Sequence, residues 1–71
     1  MMGPDAIYLD PDGLHYVACF GEDEPEWLRW PAIENGWATR RRCSATLADD
    51  CDELPAELAR LALRLSGVGD D

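Results

Sequence analysis

The sequence contains no lysine, only one histidine and no long run of apolar residues. A helix that crosses a bilayer needs about 18 or more consecutive apolar residues, so we expect no membrane contact. The segment MMGPDAIYLD has no basic residue and no long apolar stretch, and it therefore lacks the pattern of a signal peptide. These absences lead us to expect a cytoplasmic protein.

The residues that usually carry catalysis are also scarce. Three cysteines, an odd number, fit reduced thiols better than a disulfide framework, and their spacing from His15 is not a recognised zinc pattern. Nothing in the pattern places a serine next to His15, and there is no glycine-rich phosphate loop. So short a chain also has little room for a substrate pocket of about 300 Å³ or more. We therefore predict a protein that is not an enzyme and has neither cofactor nor metal.

The charge that is present is strongly one-sided. Fifteen acidic residues against six arginines give a net charge of -9. A negative field of this size repels nucleic acid and anionic membranes, and it favours cationic partners. A surface that only keeps the protein in solution has the same composition, so charge alone does not decide between solubility and binding.

The pattern of the chain predicts one α+β domain covering residues 1–71. We expect a small antiparallel sheet of two β-hairpins, with three to four strands and a C-terminal helix on one face (ββββα). The first hairpin joins strands at residues 6–9 and 14–20 through the turn Asp10-Pro11-Asp12-Gly13, in which Gly13 takes a left-handed conformation. If a bulge sets its register, Tyr8 shares a face with Tyr16.

Asn35-Gly36, a strong signal for a two-residue hairpin turn, sits between two strand-like runs. This turn predicts three cross-strand pairs, which are Ile33 with Ala38, Trp30 with Arg41 and Leu28 with Cys43. On that register Arg41 points inward and stacks on Trp30.

A helix is predicted after residue 52, where Asp52 can cap its N-terminus, and Gly67 is expected to end it. At about 100° per residue the apolar residues of this segment form one stripe. The stripe consists of Leu54, Leu58, Leu61, Ala62, Leu65 and Val68. Leu63 falls on the opposite side and is expected to be exposed.

The open end of the second predicted hairpin would bring two acidic segments together at one pole. Neither segment contains a basic residue. The carboxylates at this pole are Glu22, Asp23, Glu24, Glu26, Asp49, Asp50, Asp52 and Glu53. Crowding of this kind raises proton affinities and costs stability, which a protein tolerates if the patch binds something.

The leading hypothesis is a non-catalytic binding protein whose acidic pole occupies a basic surface on another protein, most simply a nucleic-acid-binding one. Such a protein would act as a DNA mimic and would not itself bind nucleic acid. In size and charge the chain resembles small acidic inhibitors of nucleic-acid enzymes, including phage-encoded anti-CRISPR-like proteins. The absence of lysine beside abundant alanine and leucine is typical of a GC-rich bacterial or phage genome.

Two alternatives belong to other classes. The first is a structural or oligomerising module, such as a homodimer, that uses an apolar surface formed by Tyr8, Tyr16, Trp27 and Leu63. The second is a divalent-metal-binding domain that uses the segment DDCDE. This segment lacks the spaced ligands and central glycine of an EF-hand loop, and it is the weaker of the two.

Overall fold

A computed structural model describes residues 4–69, which form one antiparallel sheet and one α-helix. The strands are β1 (Tyr8–Leu9), β2 (His15–Phe20), β3 (Glu26–Pro31), β4 (Arg41–Arg42) and β5 (Asp52–Glu53), and the helix α1 spans Ala56–Ser66. The strand order is β4-β3-β2-β1-β5. The predicted α+β class, with a helix after a small antiparallel sheet, is confirmed; β5 is an additional short edge strand.

The turn between β1 and β2 has the predicted chemistry. Gly13 has a φ of 71° and donates its N–H to the carbonyl of Asp10 at 2.8 Å. The Asp10 and Asp12 side chains accept the backbone N–H groups of Asp12 and Leu14. This turn is fixed by residues within five positions of one another, so its local sequence suffices to define it.

The face of the sheet that packs on α1 carries the main core. Ile7, Ala18, Leu28 and Trp30 are buried there. Tyr8 pairs with Val17 and Leu9 with Tyr16, so Tyr8 lies on the other face from Tyr16. The prediction that Tyr8 and Tyr16 share a face is therefore wrong. The observed register differs by one residue, and a shift of one residue exchanges the two faces of a strand.

The second hairpin departs from its prediction. Asn35 is left-handed, with a φ of 62°, but it precedes a short 3₁₀ helix (Gly36–Thr39) and does not form a two-residue turn. Leu28 pairs with Arg42 and Arg29 with Arg41, which again shifts the register by one residue. Only two residues of the returning segment form a strand, because the 3₁₀ helix takes up residues that the prediction assigned to that strand.

This shift moves Arg41 away from Trp30. Arg41 lies opposite Arg29, on the face that does not contact α1. The guanidinium that stacks on a tryptophan belongs to Arg40, 4.5 Å from the ring centroid of Trp37. The inward position predicted for Arg41 is thus wrong, and an exposed arginine next to it makes the cation–π contact.

Helix α1 begins later than predicted. Pro55 precedes its first turn, whereas Asp52, the predicted cap, lies in β5. Gly67 ends the helix as predicted, with a φ of 82° and its N–H directed at the carbonyls of Leu63 and Arg64.

Only part of the predicted apolar stripe is buried, since Leu58, Leu61 and Leu65 are exposed while Leu54 and Val68 pack against the core. Ala62 and Ser66 are buried, and Ala59 and Leu63 pack against the core. The expectation that Leu63 is exposed is therefore wrong. Small side chains let the helix approach a sheet face already filled by the rings of Tyr16, Phe20 and Trp30, and the bulky leucines turn outward.

The other face of the sheet is covered by a second 3₁₀ helix (Ala45–Asp50), which contacts β2. The Ser44 hydroxyl accepts the N–H of Thr46 at its start, so Ser44 caps this helix. Val17 is fully buried on this side. After this helix the chain reaches β5 at the edge opposite β4, having crossed the sheet.

Candidate functional site

The structure divides the eight carboxylates of the predicted acidic pole into two groups. We call Glu22, Asp23 and Glu24 the acidic loop; they lie exposed between β2 and β3. We call Asp49, Asp50, Asp52 and Glu53 the acidic edge; they lie exposed at the end of the second 3₁₀ helix and in β5. Glu26, the eighth, begins β3.

The two groups do not meet at one pole. Strands β1 and β2 stand between β3 and β5, which separates β3 from β5 sideways by about 14 Å at the usual strand spacing. Glu53 pairs with Tyr8, which in turn pairs with Val17 of β2. Val17 is three residues, or about 10 Å, from the end of β2 that leads into the acidic loop, so Glu53 is also displaced from that loop along the strands. The prediction failed because the chain crosses the sheet after Cys43 and does not stay beside β3.

Seven of the eight carboxylates are unpaired within residues 4–69. Glu26 forms an ion pair with Arg42, which lies on the neighbouring strand β4. The acidic loop and the acidic edge form no salt bridge in the described part of the chain, and all their side chains are exposed. Their charge is therefore open to solvent and to an approaching partner.

A third charged group surrounds the turn between β1 and β2, and the sequence did not reveal it. Arg29 donates through Nε to Oδ2 of Asp10 at 2.9 Å and through Nη2 to Oδ2 of Asp12 at 3.4 Å. His15 Nδ1 lies 2.9 Å from the same Asp12 oxygen. Arg29 comes from β3, so only the register of that strand could have placed it here. The cluster ties the turn to the centre of the sheet.

The pKa of the Asp12 carboxyl lies below its ordinary value of 3.8, chiefly because the carboxylate accepts the N–H of Leu14 at 2.7 Å, with His15 and Arg29 adding to the effect. A lowered folded-state pKa contributes stability above the unfolded value, and that stability is lost as pH falls through the folded pKa.

We therefore expect the free energy of unfolding of the wild-type domain to fall more steeply than that of Asp12→Asn as pH drops from about 5 to about 2. Urea denaturation at several pH values measures both curves. Asp5→Asn, at an exposed carboxylate with no ion pair in the described residues, is the control and should run parallel to the wild type. Parallel curves for Asp12→Asn and wild type would contradict the role given to Asp12.

An open groove of about 630 Å³ lies on the second face of the sheet, larger than a chain of this length was expected to provide. Its walls include the basic side chains of His15, Arg29, Arg41 and Arg42, and no carboxylate. Arg29 and Arg41 are directly paired across strands, an arrangement of like charges that costs stability. Arg29 and His15 are paired with aspartates of the neighbouring turn and Arg42 with Glu26, so Arg41 is the basic residue of this groove that has no ion pair in the described residues.

Cysteine chemistry has little support in this groove. Burial raises the pKa of the Cys43 thiol, and burial followed by the nearby Asp10 charge raises that of Cys51, so both thiols stay protonated at neutral pH. His15 lies opposite Pro31 of β3, whereas Cys43 donates its N–H to Trp27 of the same strand. Pro31 and Trp27 are four residues, or about 13 Å, apart along β3. A thiol and a base are thus not brought together here.

The predicted apolar contact surface is largely inside the molecule. Tyr16 and Leu63 pack against the core, while Tyr8 and Trp27 are half-buried against each other, with ring centroids 6.2 Å apart. The structure thus does not gather these four residues on one open face. The large apolar side chains that are exposed instead are Leu14, Ile33, Leu58, Leu61 and Leu65.

Within residues 4–69 no group of three or more histidine, cysteine, aspartate or glutamate side chains is arranged to hold a metal ion.

Among the helices described, α1 included, none has the length and apolar character required to cross a membrane.

Comparison of the chain with protein-family models, with curated proteins and with solved structures gives no significant match, so its function has to be argued from its own residues.

Proposed function

We propose that the chain is a non-catalytic binding protein that uses exposed carboxylates to bind a basic surface on another protein. The observation that carries this proposal is the set of seven exposed carboxylates, in the acidic loop and the acidic edge, that have no ion pair in the described residues. With a net charge of -9, they are the groups that an approaching cationic surface meets first.

The arrangement of these carboxylates favours a partner that is basic over an extended area. Like charges that stay unpaired repel one another, and a cationic partner relieves that repulsion while the field speeds the encounter. A nucleic-acid-binding protein presents such a surface, because it has to neutralise a row of phosphates. Occupying that surface would displace nucleic acid, so inhibition of the partner is the simplest outcome.

The two acidic groups can be tested separately because they are apart. Asp23→Lys/Glu24→Lys reverses the charge of the acidic loop, and Asp52→Lys/Glu53→Lys neutralises the acidic edge. A matched control, Asp5→Lys/Glu34→Lys, makes the same change in net charge at exposed acids outside both groups. We expect each test variant to weaken partner binding by about 10-fold or more, since a close charge pair contributes about 1.5 kcal/mol or more, and the control to weaken it less.

The partner is obtained by capture from a lysate of the source organism at low and at high salt, and affinity is then measured with the purified partner. Circular dichroism confirms that each variant is folded. Binding should fall as salt rises, since it depends on exposed charges. If both test variants bind the isolated partner as well as the control does, the carboxylates are not the binding surface.

The alternative of an oligomerising module loses its original surface, since Tyr16 and Leu63 pack against the core. The exposed leucines of α1 form a different surface.

A further inference from the structure

We infer that two copies of the chain pair through α1, antiparallel and about a two-fold axis near Leu61. Leu58, Leu61 and Leu65 are 51%, 47% and 55% exposed, although they are among the largest apolar side chains of the helix. We call these three residues the leucine stripe. At about 100° per residue they fall within about 60° of one another, so they form one continuous surface.

The stripe is separate from the side of α1 that packs on the sheet. That side consists of Ala59, Ala62, Leu63 and Ser66, whose mean direction lies about 115° from the stripe. The Asn35 N–H donates to the carbonyl of Leu65 at 3.1 Å, so the segment that carries the exposed Ile33 approaches the C-terminal end of the helix. An apolar surface of this kind on so small a domain marks a contact site.

The charges around the stripe select a second copy as the occupant. Glu57 and Arg64 lie on the same flank of the stripe, seven residues apart and therefore about two turns along the helix. An antiparallel two-fold pair brings the same flank of both helices together. With Leu61 at the centre, Glu57 of each copy then faces Arg64 of the other, which gives two reciprocal ion pairs.

The helix is also where two acidic chains can approach each other. Its charged residues are Glu57, Arg60 and Arg64, so the helix itself carries one net positive charge while the whole chain carries -9. The leucine stripe thus lies on an element that does not share the net negative charge of the whole chain. Elsewhere, the acidic loop and the acidic edge would repel a second copy.

The size of the contact sets its strength. Eleven residues of α-helix are about 16 Å long, which is too short for the ~800 Å² per partner of a standard stable interface. We therefore expect a dimer that forms reversibly at concentrations of about 10⁻⁵ to 10⁻³ M. Salt should strengthen it, because screening reduces the repulsion between two chains of charge -9.

Sedimentation equilibrium of the whole chain from about 10⁻⁵ to 10⁻³ M tests the stripe. Leu61→Glu places two carboxylates against each other at the two-fold axis and should weaken the dimer by at least about 100-fold. Leu14→Glu introduces the same change at a more exposed leucine in the turn between β1 and β2, and it should leave the dimer unchanged. A monomer throughout the wild-type range, or equal effects of the two variants, would overturn the proposal.

A charge exchange tests the antiparallel register. Glu57→Arg opposes two arginines and Arg64→Glu opposes two glutamates, so each should weaken the dimer by about 3- to 10-fold, as expected for exposed ion pairs. The double variant restores both pairs and should recover most of the affinity. Arg60→Glu, which makes the same charge change about 130° from the stripe, is the control for Arg64→Glu.

If the double variant is as weak as the singles while circular dichroism shows it folded, the register is wrong. The dimer and the proposed partner binding fail separately, because salt should strengthen the first and weaken the second. Pairing through α1 also needs none of the carboxylates of the acidic loop or the acidic edge.

Discussion

Replacing Trp30 with alanine is expected to remove most of the free energy of unfolding of the domain and to lower its melting temperature sharply. Trp30 is completely buried, and its ring lies 5.9 Å from Tyr16, 5.9 Å from Phe20 and 5.2 Å from Trp37, measured between centroids. It therefore fills the centre of the core between the sheet and α1. Truncating a buried tryptophan costs about 3–5 kcal/mol. Domains of this size have a net stability toward the low end of about 5–15 kcal/mol.

Thermal and urea unfolding followed by circular dichroism measure this effect. Trp27→Ala is the matched control, because Trp27 is only half-buried and pairs chiefly with Tyr8, so its loss should cost clearly less. Trp30→Phe separates the ring from the indole N–H. That N–H is buried and has no hydrogen-bond partner in the described residues, so the phenylalanine variant should retain more stability than the alanine variant. A Trp30→Ala domain that melts within a few degrees of wild type would contradict this account of the core.

The parts of the fold that local chemistry determines could be predicted from the sequence. The turn at Asp10–Gly13 is defined by hydrogen bonds of two aspartates and a glycine to residues within five positions, and the end of α1 depends on Gly67. The antiparallel class and the helix after the sheet also follow from these local signals. Local signals do not determine which residues pair across strands, and both hairpins were misplaced by one residue.

The orientation of α1 could not be predicted from its periodicity. Hydrophobicity alone selects the leucines as the buried side, but the sheet presents bulky aromatic rings, and close packing favours Ala59, Ala62 and Ser66 against them. The residues that a pattern ranks as most apolar were therefore left outside. This is why the leucine stripe escaped prediction although all its residues were noted.

The exposed carboxylates of the proposed acidic site could be named from the sequence, but their arrangement could not. Whether the two acidic segments meet depends on the path of residues 44–51, which cross the second face of the sheet to reach β5. The contacts that guide this crossing lie on β2, far away in sequence. The groove beside Arg29 and Arg41 has the same origin, since both arginines reach it only through the register of β3 and β4.

The Asn35-Gly36 pair shows how a correct signal can serve a different purpose. A two-residue hairpin turn uses this pair for its positive φ angles. In the structure only Asn35 is left-handed, and Gly36 begins a 3₁₀ helix with its backbone pressed against β3. A Cβ at position 36 would lie 2.1 Å from the carbonyl oxygen of Pro31 and 3.1 Å from its carbon. Glycine is needed here for space.

Gly36→Ala is therefore expected to destabilise the domain by about 3 kcal/mol, at the upper end of what overpacking usually costs, because the neighbour is backbone and cannot rotate away. The added methyl group must push β3 and the 3₁₀ helix apart, next to Trp30 and Trp37 in the core. The loss should appear as a lower urea midpoint together with a changed tryptophan fluorescence spectrum.

Gly13→Ala distinguishes this steric effect from backbone strain. Gly13 has a φ of 71°, but a Cβ there would meet no atom within 4 Å, so its substitution carries only the left-handed penalty of about 1–2 kcal/mol. If Gly36→Ala were no more destabilising than Gly13→Ala, the close approach of Gly36 to Pro31 would not be a constraint on the fold. A two-residue turn, in which position 36 tolerates a side chain at the cost of its φ alone, would then be the better description of the hairpin.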